Sequence, residues 1–272
     1  MHLLLVSTQR INGWEGPFQG GPSGRRTSVH SPYGLEIRDN CLQCAERFDR
    51  LFCDLSSKTL QAFQAIKSTT VYPRGAMLFV EGQAPRGVYV LCSGRAKLST
   101  SSSEGKTLIM RVADPGEVLG LSATVSGKPY DASAEVLDPC QVNFVGRDDF
   151  LRFLGQHGDA CLKVAQHLSY NYHIACEQIR SLGLSHSVGE RLAKLLLEWC
   201  DKTGEKSDQG IRVRMLLTHE QIAQLIGTSR ETVTRLLADF KHNQLIKLRG
   251  STLFVRNRGA LQGLIGGWTG TT

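Results

Sequence analysis

Leu217-Thr-His-Glu-Gln-Ile-Ala-Gln-Leu-Ile-Gly-Thr-Ser-Arg-Glu-Thr-Val-Thr-Arg-Leu-Leu-Ala-Asp-Phe240 is the stretch of the sequence that decides the fold. Thr218 is followed three residues later by Gln221, a pattern that predicts a capping box at the start of a helix. Gly227 is typical of the position where a helix ends. A second helix follows, capped by Thr228 or Ser229, and its predicted apolar face consists of Val233, Leu236, Leu237 and Phe240. The stretch therefore predicts two short helices joined by a tight turn.

The opposite face of the second helix carries four polar side chains, which are Arg230, Glu231, Thr234 and Arg235. Arginine can form two hydrogen bonds with guanine, glutamate can accept from the amino group of cytosine, and threonine can reach a base edge or a phosphate. A helix-turn-helix places such side chains in the major groove of DNA. An ordinary helical hairpin with a solvated polar face is the alternative interpretation.

Charge is distributed unevenly along the chain and favours the nucleic-acid interpretation. The formal net charge of the whole chain is +7. Residues 211–260 alone contain nine Lys or Arg residues and only three Asp or Glu residues. The basic excess therefore surrounds the predicted helix-turn-helix, as a phosphate-binding surface requires.

The segment Gly227-Thr-Ser-Arg-Glu-Thr-Val-Thr-Arg235 resembles the recognition segment of the CRP/FNR family of bacterial transcription regulators, and the resemblance extends over nearly all of the chain after residue 38. Gln244-Leu-Ile-Lys-Leu-Arg-Gly-Ser-Thr-Leu-Phe-Val-Arg256 is similar to the family's wing. Its two β-rich runs flank a Gly-Ser turn, which predicts a basic hairpin suited to lie along the DNA backbone. The resemblance implies a homodimeric regulator, not an enzyme, whose partners are double-stranded DNA and RNA polymerase.

The resemblance also implies roles for individual residues at the DNA interface. The Arg-Glu-x-x-x-Arg pattern is closer to the CRP branch of the family, which implies a palindromic site with inverted half-sites of the TGTGA type. The expected contacts are Arg230, Glu231 and Arg235 at base edges, Thr218, Ser229 and Thr234 at phosphates or in support, and Lys247 and Arg249 on the wing.

Length and composition restrict the class of protein. The chain has 272 residues, enough for two domains with separate cores, and 41% of them are hydrophobic. No apolar run approaches the length of a membrane span. The apolar start Met1-His-Leu-Leu-Leu-Val lacks a basic leader and a cleavage site, so secretion is not expected and the predicted location is the cytoplasm.

Four regions with an α+β fold are expected along the chain. Residues 1–37 are rich in Gly, Ser, Arg and Pro and predict a disordered tail. Residues 38–146 contain a cysteine-bearing loop and many short β-rich runs, which predict a barrel or sandwich. The resemblance implies that this sensor domain is an antiparallel β-roll, or jelly roll, of the cyclic-nucleotide-binding type. Residues 147–183 are expected to form a dimerisation helix, and residues 184–265 a winged helix-turn-helix domain joined through a hinge at residues 183–187.

The predicted dimerisation helix carries apolar residues at alternating intervals of three and four, which are Ala165, Leu168, Tyr172, Ala175, Ile179 and Leu182. Such a heptad seam favours parallel pairing with a second copy of the chain. A single helix packed on its own β-roll is the alternative interpretation.

Binding of cyclic AMP is disfavoured by the resemblance. Nucleotide-binding members hold the ribose with a glutamate and the phosphate with an Arg-Ser pair. Those positions correspond to Leu121 and to Tyr130-Asp131 in this sequence. An aspartate facing the phosphate would repel it.

Eight cysteines indicate a different input. Cys41, Cys44 and Cys53 lie within one short stretch, and iron–sulfur clusters are held by four thiolates. The FNR branch resembles this arrangement, with its fourth cysteine at the position of Cys140, which implies a 4Fe-4S cluster that senses oxygen, nitric oxide or redox state. The interval from Cys44 to Cys53 is longer than in the FNR pattern. The remaining cysteines are predicted to be small core residues, and these are Cys92, Cys161, Cys176 and Cys200.

Other interpretations of the sensor domain stay open. A Cys-x-x-Cys pair with two further cysteines also suits tetrahedral zinc. A reversible disulfide could link Cys41 to Cys44 or Cys53. A small molecule could bind inside the β-roll. A thiol oxidoreductase is a remote possibility, because its Cys-x-x-Cys must open a helix directly after a strand, and a polar segment precedes Cys41.

Overall fold

The computed structural model describes residues 33–185 and 187–265. Most of the predicted N-terminal tail and His186 of the predicted hinge lie outside the described residues. Within the described part, an N-terminal β-roll is followed by a long helix and a C-terminal helical domain with its own sheet. This order confirms the predicted α+β architecture.

The β-roll consists of two four-stranded antiparallel sheets. The first sheet has the order β1-β8-β3-β6, with β1 at Ser68–Tyr72, β8 at Cys140–Gly146, β3 at Gly87–Ser93 and β6 at Val118–Leu119. The second has the order β2-β7-β4-β5, with β2 at Met77–Phe79, β7 at Ser133–Val136, β4 at Ala96–Ser101 and β5 at Thr107–Ala113. Because most strands pair with strands distant in sequence, the two sheets form a roll rather than a series of hairpins.

Strand β3 separates two cores, because successive side chains on a strand point to opposite faces. Tyr89 and Leu91 belong to the core between the two sheets. Val88 and Val90 belong to a second core on the outer face of the first sheet, where Phe52 packs. Side chains that face the N-terminal segment are therefore those of the Val88 and Val90 face.

The outer core is covered by helices. Two 3-10 turns, at Cys41–Gln43 and Ala45–Asp49, lead into the α-helices, and α2 follows β6 at the edge of the roll. The helices are α1 at Ser57–Ile66, α2 at Leu121–Ser126, α3 at Arg147–Gln156 and α4 at Gly158–Leu184. The structure differs from the predicted single helix at 147–183, because the extended backbone of His157 separates α3 from α4. The flanking Gly155 and Gly158 have low helix propensity.

The C-terminal domain is a winged helix-turn-helix. Its helices are α5 at Val188–Thr203, α6 at His219–Ile226, α7 at Arg230–His242 and α8 at Arg258–Gly263. Its sheet has the order β11-β12-β10-β9, with β9 at Glu205–Ser207, β10 at Gly210–Arg214, β11 at Ile246–Arg249 and β12 at Thr252–Val255. The wing is confirmed. The hairpin of β9 and β10 was not predicted. The three residues of β9 are polar and exposed, so the sequence there has no alternation of apolar and polar residues that would indicate a strand.

None of the helices in the described ranges combines the length and the apolar content that crossing a membrane requires.

Candidate nucleic-acid interface and cysteine cavity

The turn between α6 and α7 is built by local hydrogen bonds that the sequence predicts. The Thr218 hydroxyl accepts from the Gln221 backbone N–H at 3.2 Å, and the Gln221 side chain accepts from the Thr218 N–H at 3.0 Å. Gly227 has a φ of 66°, the left-handed conformation that ends α6. Ser229, and not Thr228, caps α7 by accepting from the Thr232 N–H at 3.3 Å. These contacts fix the start of α7 relative to α6.

The first turns of α7 present the predicted base-reading side chains to solvent. Arg230, Glu231 and Arg235 are all exposed. The backbone N–H of Glu231, the Ser229 hydroxyl and the Arg230 guanidinium hold the pKa of the Glu231 carboxyl below its usual range. The carboxylate is therefore ionised at neutral pH and is an acceptor only, as a contact with a cytosine amino group requires.

Thr234 is engaged inside the fold, although it is also exposed. Its hydroxyl donates to the Arg230 carbonyl at 2.9 Å and lies 3.0 Å from Nδ1 of His219. His219 thereby links the first residue of α6 to the recognition helix. His219 is not among the predicted contact residues, and its only sequence signal is its place directly after the N-cap Thr218.

The wing adds positive charge beside α7. Partial burial and the nearby charges of Arg249 and Arg256 hold the pKa of Lys247 below its usual range. The Lys247 ammonium donates to the side-chain oxygen of Gln209 at 3.0 Å. Three cationic side chains therefore lie close together on the hairpin, where a phosphate backbone would relieve their mutual repulsion.

The last turn of α6 is attached to the long helix and to α5. The Gln178 side-chain amide donates to the Leu225 carbonyl at 2.7 Å, and Arg191 Nε donates to the Ile226 carbonyl at 2.7 Å. Leu182 packs so closely on Gly227 that a Cβ there would lie 2.9 Å from its Cδ2 atom. The position of the helix-turn-helix therefore depends on α4.

Part of the predicted heptad seam on α4 is exposed. Tyr172 and Ile179 are 74% and 70% exposed, and Ala165 and Ala175 of the same seam are exposed too. Leu162 extends the same stripe toward the start of the helix and is 60% exposed. Leu168 and Leu182 instead contact their own chain. The stripe is a contiguous apolar surface of the kind that marks a protein interface.

The interior of the β-roll is filled by aromatic side chains at the position of a nucleotide phosphate. Tyr130 is 3% exposed, its ring stacks on Phe79 with centroids 4.1 Å apart, and its hydroxyl donates to the Gly87 carbonyl at 3.0 Å. Leu121, at the position of the ribose-binding glutamate, is 2% exposed in the outer core. Asp131 is exposed. Tyr130 therefore fills the place that the resemblance assigns to the phosphate of a cyclic nucleotide.

A cavity of about 30 Å³ lies between the N-terminal segment and the outer face of the first sheet. Its cysteine lining consists of Cys41, Cys44, Cys53 and Cys92. The first three were predicted to act together, whereas Cys92, on β3, was predicted to be an isolated core residue. Three guanidinium-bearing side chains also line the cavity, and these are Arg38, Arg47 and Arg50.

The structure does not bring Cys140 to this group, contrary to the predicted ligand set. Cys140 lies in the core between the two sheets, with its Sγ 3.1 Å from the Asp138 carbonyl and 3.4 Å from the Arg95 carbonyl. Gln141 and Asn143 lie on the other face of β8 and point to the N-terminal segment. The Gln141 amide donates to the Arg38 carbonyl at 2.6 Å, and Asn143 donates to the Cys41 sulfur at 3.6 Å. Strand alternation therefore directs Cys140 inward.

Burial keeps three of the thiols around the cavity in the protonated form. Burial raises the pKa of Cys92 to about 12 and that of Cys53 to about 11. Burial also raises the pKa of Cys41. Reactive thiols need a depressed pKa, so these three are poor nucleophiles in this arrangement. Within residues 33–185 and 187–265, no three His, Cys, Asp or Glu side chains are grouped closely enough to hold one metal ion.

The other single cysteines differ in burial. Cys200 is buried in the core of the C-terminal domain, as predicted. Cys161 is exposed, contrary to prediction, and its thiol donates to the Leu154 carbonyl at 3.2 Å. Cys176 is partly buried on α4.

The cysteine segment contacts the first turn of α4 directly. The Lys163 ammonium lies 2.9 Å from the Asp54 carboxylate, one residue after Cys53. The Asp159 carboxylate accepts from the Thr59 hydroxyl at 2.8 Å and from the Ser56 backbone N–H at 3.1 Å. A displacement of the cysteine segment would therefore act on the N-terminal end of α4. The helix-turn-helix is attached near the C-terminal end of the same helix.

Two family descriptions match the two halves of this arrangement. Residues 69–157 match the cyclic nucleotide-binding domain, and residues 190–264 match the Crp-like helix-turn-helix domain. The chain belongs to the CRP/FNR family of transcription regulators. Regulators of the CRP/FNR family are dimeric DNA-binding proteins and not enzymes, and they bind small-molecule effectors.

Individual CRP/FNR regulators resemble this chain over most of their length. The global nitrogen regulator of Synechocystis sp. is 29% identical over 192 residues, which cover 70% of this chain and 85% of that protein. The CRP-like cAMP-activated global transcriptional regulator of Mycobacterium tuberculosis is 27% identical over 184 residues, covering 68% and 82%. The structure of FixK2 from Bradyrhizobium japonicum aligns with a TM-score of 0.66 at 22% identity, covering 75% of this chain and 99% of that one, which shows a shared fold.

Proposed function

We propose that this CRP/FNR regulator is a homodimer that binds a palindromic DNA site and responds to oxygen, nitric oxide or redox state through a cysteine-ligated iron–sulfur cluster. The observation that carries the proposal is the cavity lined by Cys41, Cys44 and Cys53, whose segment contacts α4 through Asp54 and Lys163. The same helix holds the helix-turn-helix at its other end through Gln178. One helix thus connects a candidate sensor with the DNA-binding surface.

At the DNA, Arg230, Glu231 and Arg235 contact base edges, since they are exposed on the first turns of α7. The expected half-sites are inverted and TGTGA-like. The phosphate backbone is contacted by two cap residues, Thr218 and Ser229, and by two wing residues, Lys247 and Arg249. Thr234 has a supporting role, because its hydroxyl already bonds within the fold. RNA polymerase is the expected protein partner in the cytoplasm.

Pairing of two α4 helices places the two recognition helices on one DNA duplex. The exposed stripe that includes Tyr172 and Ile179 supports this interface, since a parallel pair would bury it. A two-fold symmetric dimer matches the symmetry of inverted half-sites.

The donor chemistry of the cavity fits an iron–sulfur cluster. Thiolate sulfur is the ligand that such clusters take from proteins, and nearby guanidinium groups offset the negative charge of several thiolates. When bound, such a cluster supplies sensitivity to oxygen and nitric oxide. The residues of this chain then hold the segment around Cys53 against the sheet, and the contact between Asp54 and Lys163 transmits its position to α4.

A regulator gated by a small molecule is the second candidate. A cavity of about 310 Å³ lies where β5, α4 and α5 meet, and it is lined by charged and aromatic side chains that include Arg111, Glu177, Lys194 and Trp199. Its volume is within the range of ligand pockets. A ligand there would contact α4 and the helix-turn-helix domain directly. The aromatic filling around Tyr130 disfavours the interior of the β-roll for this purpose.

The test is to purify the full chain without oxygen and to measure its visible spectrum, its iron, sulfide and zinc content, and its affinity for DNA selected from a random pool. We expect bound iron and sulfide, selected duplexes with inverted TGTGA-like half-sites, and weaker binding after exposure to air. A colourless, iron-free protein whose DNA affinity is unchanged by air would exclude the cluster. Changes in affinity on titration with cyclic nucleotides or other small molecules would favour the second candidate.

A further inference from the structure

We propose that Cys92 is the fourth ligand of the cluster, together with Cys41, Cys44 and Cys53, and that Cys140 takes no part. This inference rests on the proposed cluster and identifies one of its ligands. It starts from the cavity between the N-terminal segment and the first sheet, in which Cys92 is the cysteine that the β-roll contributes.

The position of Cys92 on β3 directs its side chain toward the cavity. Alternate residues of a strand point to the same face, so Cys92 shares a face with Val88 and Val90, which pack on Phe52 in the outer core. The pairing of β3 with β8 shifts register between Leu91 and Ser93. Such an irregularity bends a strand locally and re-aims its side chains. The thiol of Cys92 therefore lies at the place where the sheet meets the N-terminal segment.

The backbone of Cys92 is attached to that segment by Arg50. Arg50 Nη1 donates to the Cys92 carbonyl at 2.8 Å, and the other end of the guanidinium pairs with Glu46. The stem of Arg50 packs on Gly116, where a Cβ would lie 2.7 Å from its Cγ atom. Arg50 lies between Cys44 and Cys53 in sequence, so it fixes the three-cysteine segment relative to Cys92.

A second contact supports the site from β8. Asn143, which pairs with Val90 of β3 and lines the same cavity as Cys92, donates from Nδ2 to the Cys41 sulfur at 3.6 Å. The Cys41 backbone N–H donates to the Gln64 side-chain oxygen at 2.8 Å. Hydrogen bonds to ligand sulfurs orient them and tune a metal site. These contacts converge on the outer face of the sheet, whereas Cys140 is completely buried between the sheets.

A cluster and a single ion impose different spacings on the thiols. Tetrahedral zinc holds each sulfur about 2.3 Å from one centre. A cluster binds each sulfur to a different iron and therefore separates the sulfurs more widely. The cavity is only about 30 Å³, so a cluster held by these four cysteines would require the segment from Cys41 to Cys53 to lie further outward, and each ligating thiol would release its proton to solvent. Such a displacement would reach Asp54 and its contact with α4.

The test compares the full-length wild-type chain with Cys92→Ser, Cys140→Ser, Cys53→Ser and Cys200→Ser, each supplied with ferrous iron and sulfide without oxygen. Iron and sulfide per chain and the visible spectrum are measured, and circular dichroism verifies folding. We expect Cys92→Ser to fall to the level of Cys53→Ser, while Cys140→Ser and the buried control Cys200→Ser retain the wild-type content. Loss of iron in Cys140→Ser with retention in Cys92→Ser would overturn the assignment.

A cross-linking measurement separates this inference from the proposed function. Dibromobimane joins two nearby thiols, because each of its bromomethyl carbons takes one thiolate and releases bromide. Peptide mapping of the denaturant-free, metal-free chain is expected to find Cys92 joined to Cys41, Cys44 or Cys53. A wild-type chain that binds no iron yet forms this link would refute the cluster and keep the grouping of the thiols. A link from Cys140 to the N-terminal cysteines would refute the grouping.

Discussion

The side-chain amide of Gln178 donates a hydrogen bond to the backbone carbonyl of Leu225 at 2.7 Å. Gln178 lies on α4, and Leu225 lies in the last turn of α6, where carbonyl groups have no partner within their own helix. The bond therefore joins the helix next to the sensor domain with the helix that precedes the recognition helix. Through this bond a change in α4 can act on the position of the DNA-binding surface.

Gln178→Ala should reduce the dependence of DNA affinity on the state of the cysteine site, because α4 then holds α6 less firmly. The loss of one such bond should lower the free energy of unfolding by about 1 kcal/mol. Affinity is measured by fluorescence anisotropy before and after exposure to air. Gln166→Ala, at an exposed position on the same helix, is the control. An unchanged response to air in Gln178→Ala would contradict the role of this contact.

Lys163→Glu should uncouple the cysteine segment from α4, because it places a negative charge beside Asp54, 2.9 Å from the present ammonium. The cost in stability should stay within about 1 kcal/mol, since the pair is partly exposed. Asp54→Lys combined with Lys163→Glu should restore the response of DNA affinity to air. Lys106→Glu, in an exposed turn, is the charge-matched control. The idea fails if the double variant responds no better than the single one.

Arg230→Ala should cost about 1–3 kcal/mol of binding free energy and relax specificity at one position of each half-site, because a two-pronged contact with guanine is lost. Competition binding with single-base variants of the selected duplex measures both effects. Arg230→Lys should keep part of the affinity and lose the specificity, since an ammonium lacks the planar fork. An equal loss on all sequences would assign Arg230 to the phosphate backbone instead.

Lys247→Ala should weaken binding to all duplexes alike and lower the slope of log affinity against log salt by about one, because it removes one phosphate contact. Titrations at several salt concentrations, with selected and scrambled duplexes, measure the slope. Lys58→Ala, at an exposed position on α1, should leave the slope unchanged. A sequence-dependent loss in Lys247→Ala would argue against a backbone contact.

His167 should make the protein less stable in mild acid. Its imidazole is 1% exposed on α4, its Nε2 accepts from the Val118 N–H at 3.2 Å, and burial together with the nearby Arg111 charge lowers its pKa from 6.5 to about 4. Between pH 6.5 and pH 4 the imidazole is protonated in the unfolded chain but not in the folded chain. The free energy of unfolding therefore keeps its full value above pH 6.5 and declines toward pH 4. The decline should be on the order of 3 kcal/mol.

Urea unfolding between pH 4 and pH 7 measures this effect. His167→Leu should flatten the pH dependence, even though it lowers stability at pH 7 by leaving the Val118 N–H without its acceptor. His173→Leu, at an exposed histidine on the same helix, should retain the wild-type profile. Parallel profiles for His167→Leu and the wild type would show that another group titrates.

The DNA-binding domain was predictable because its signals are local. The capping box of Thr218 and Gln221, the left-handed Gly227 and the wing turn each depend on a few neighbouring residues. The sequence left the N-cap of α7 open between two neighbouring residues, Thr228 and Ser229, and the structure places it at Ser229. His219 escaped detection because its partner Thr234 lies on another helix.

The cysteine site was only partly predictable because its geometry is not local. Cys41, Cys44 and Cys53 are close in sequence and line one cavity. Whether Cys92 or Cys140 joins them depends on which face of the sheet the N-terminal segment covers and on the register of β3 against β8. Neither quantity can be read from the spacing of cysteines along the chain, since shifting a strand by one residue reverses the direction of every side chain.

The stacked ring of Tyr130 has a consequence for the division of labour in this regulator. A side chain of the chain itself that fills the interior of the β-roll supplies packing that a bound effector would otherwise provide. The roll then needs no bound molecule at that place to complete its core. With the proposed sensor at the cysteine cavity, integrity of the fold and reception of the signal would lie on opposite faces of one sheet, so that loss of the signal could change the output while the fold persists.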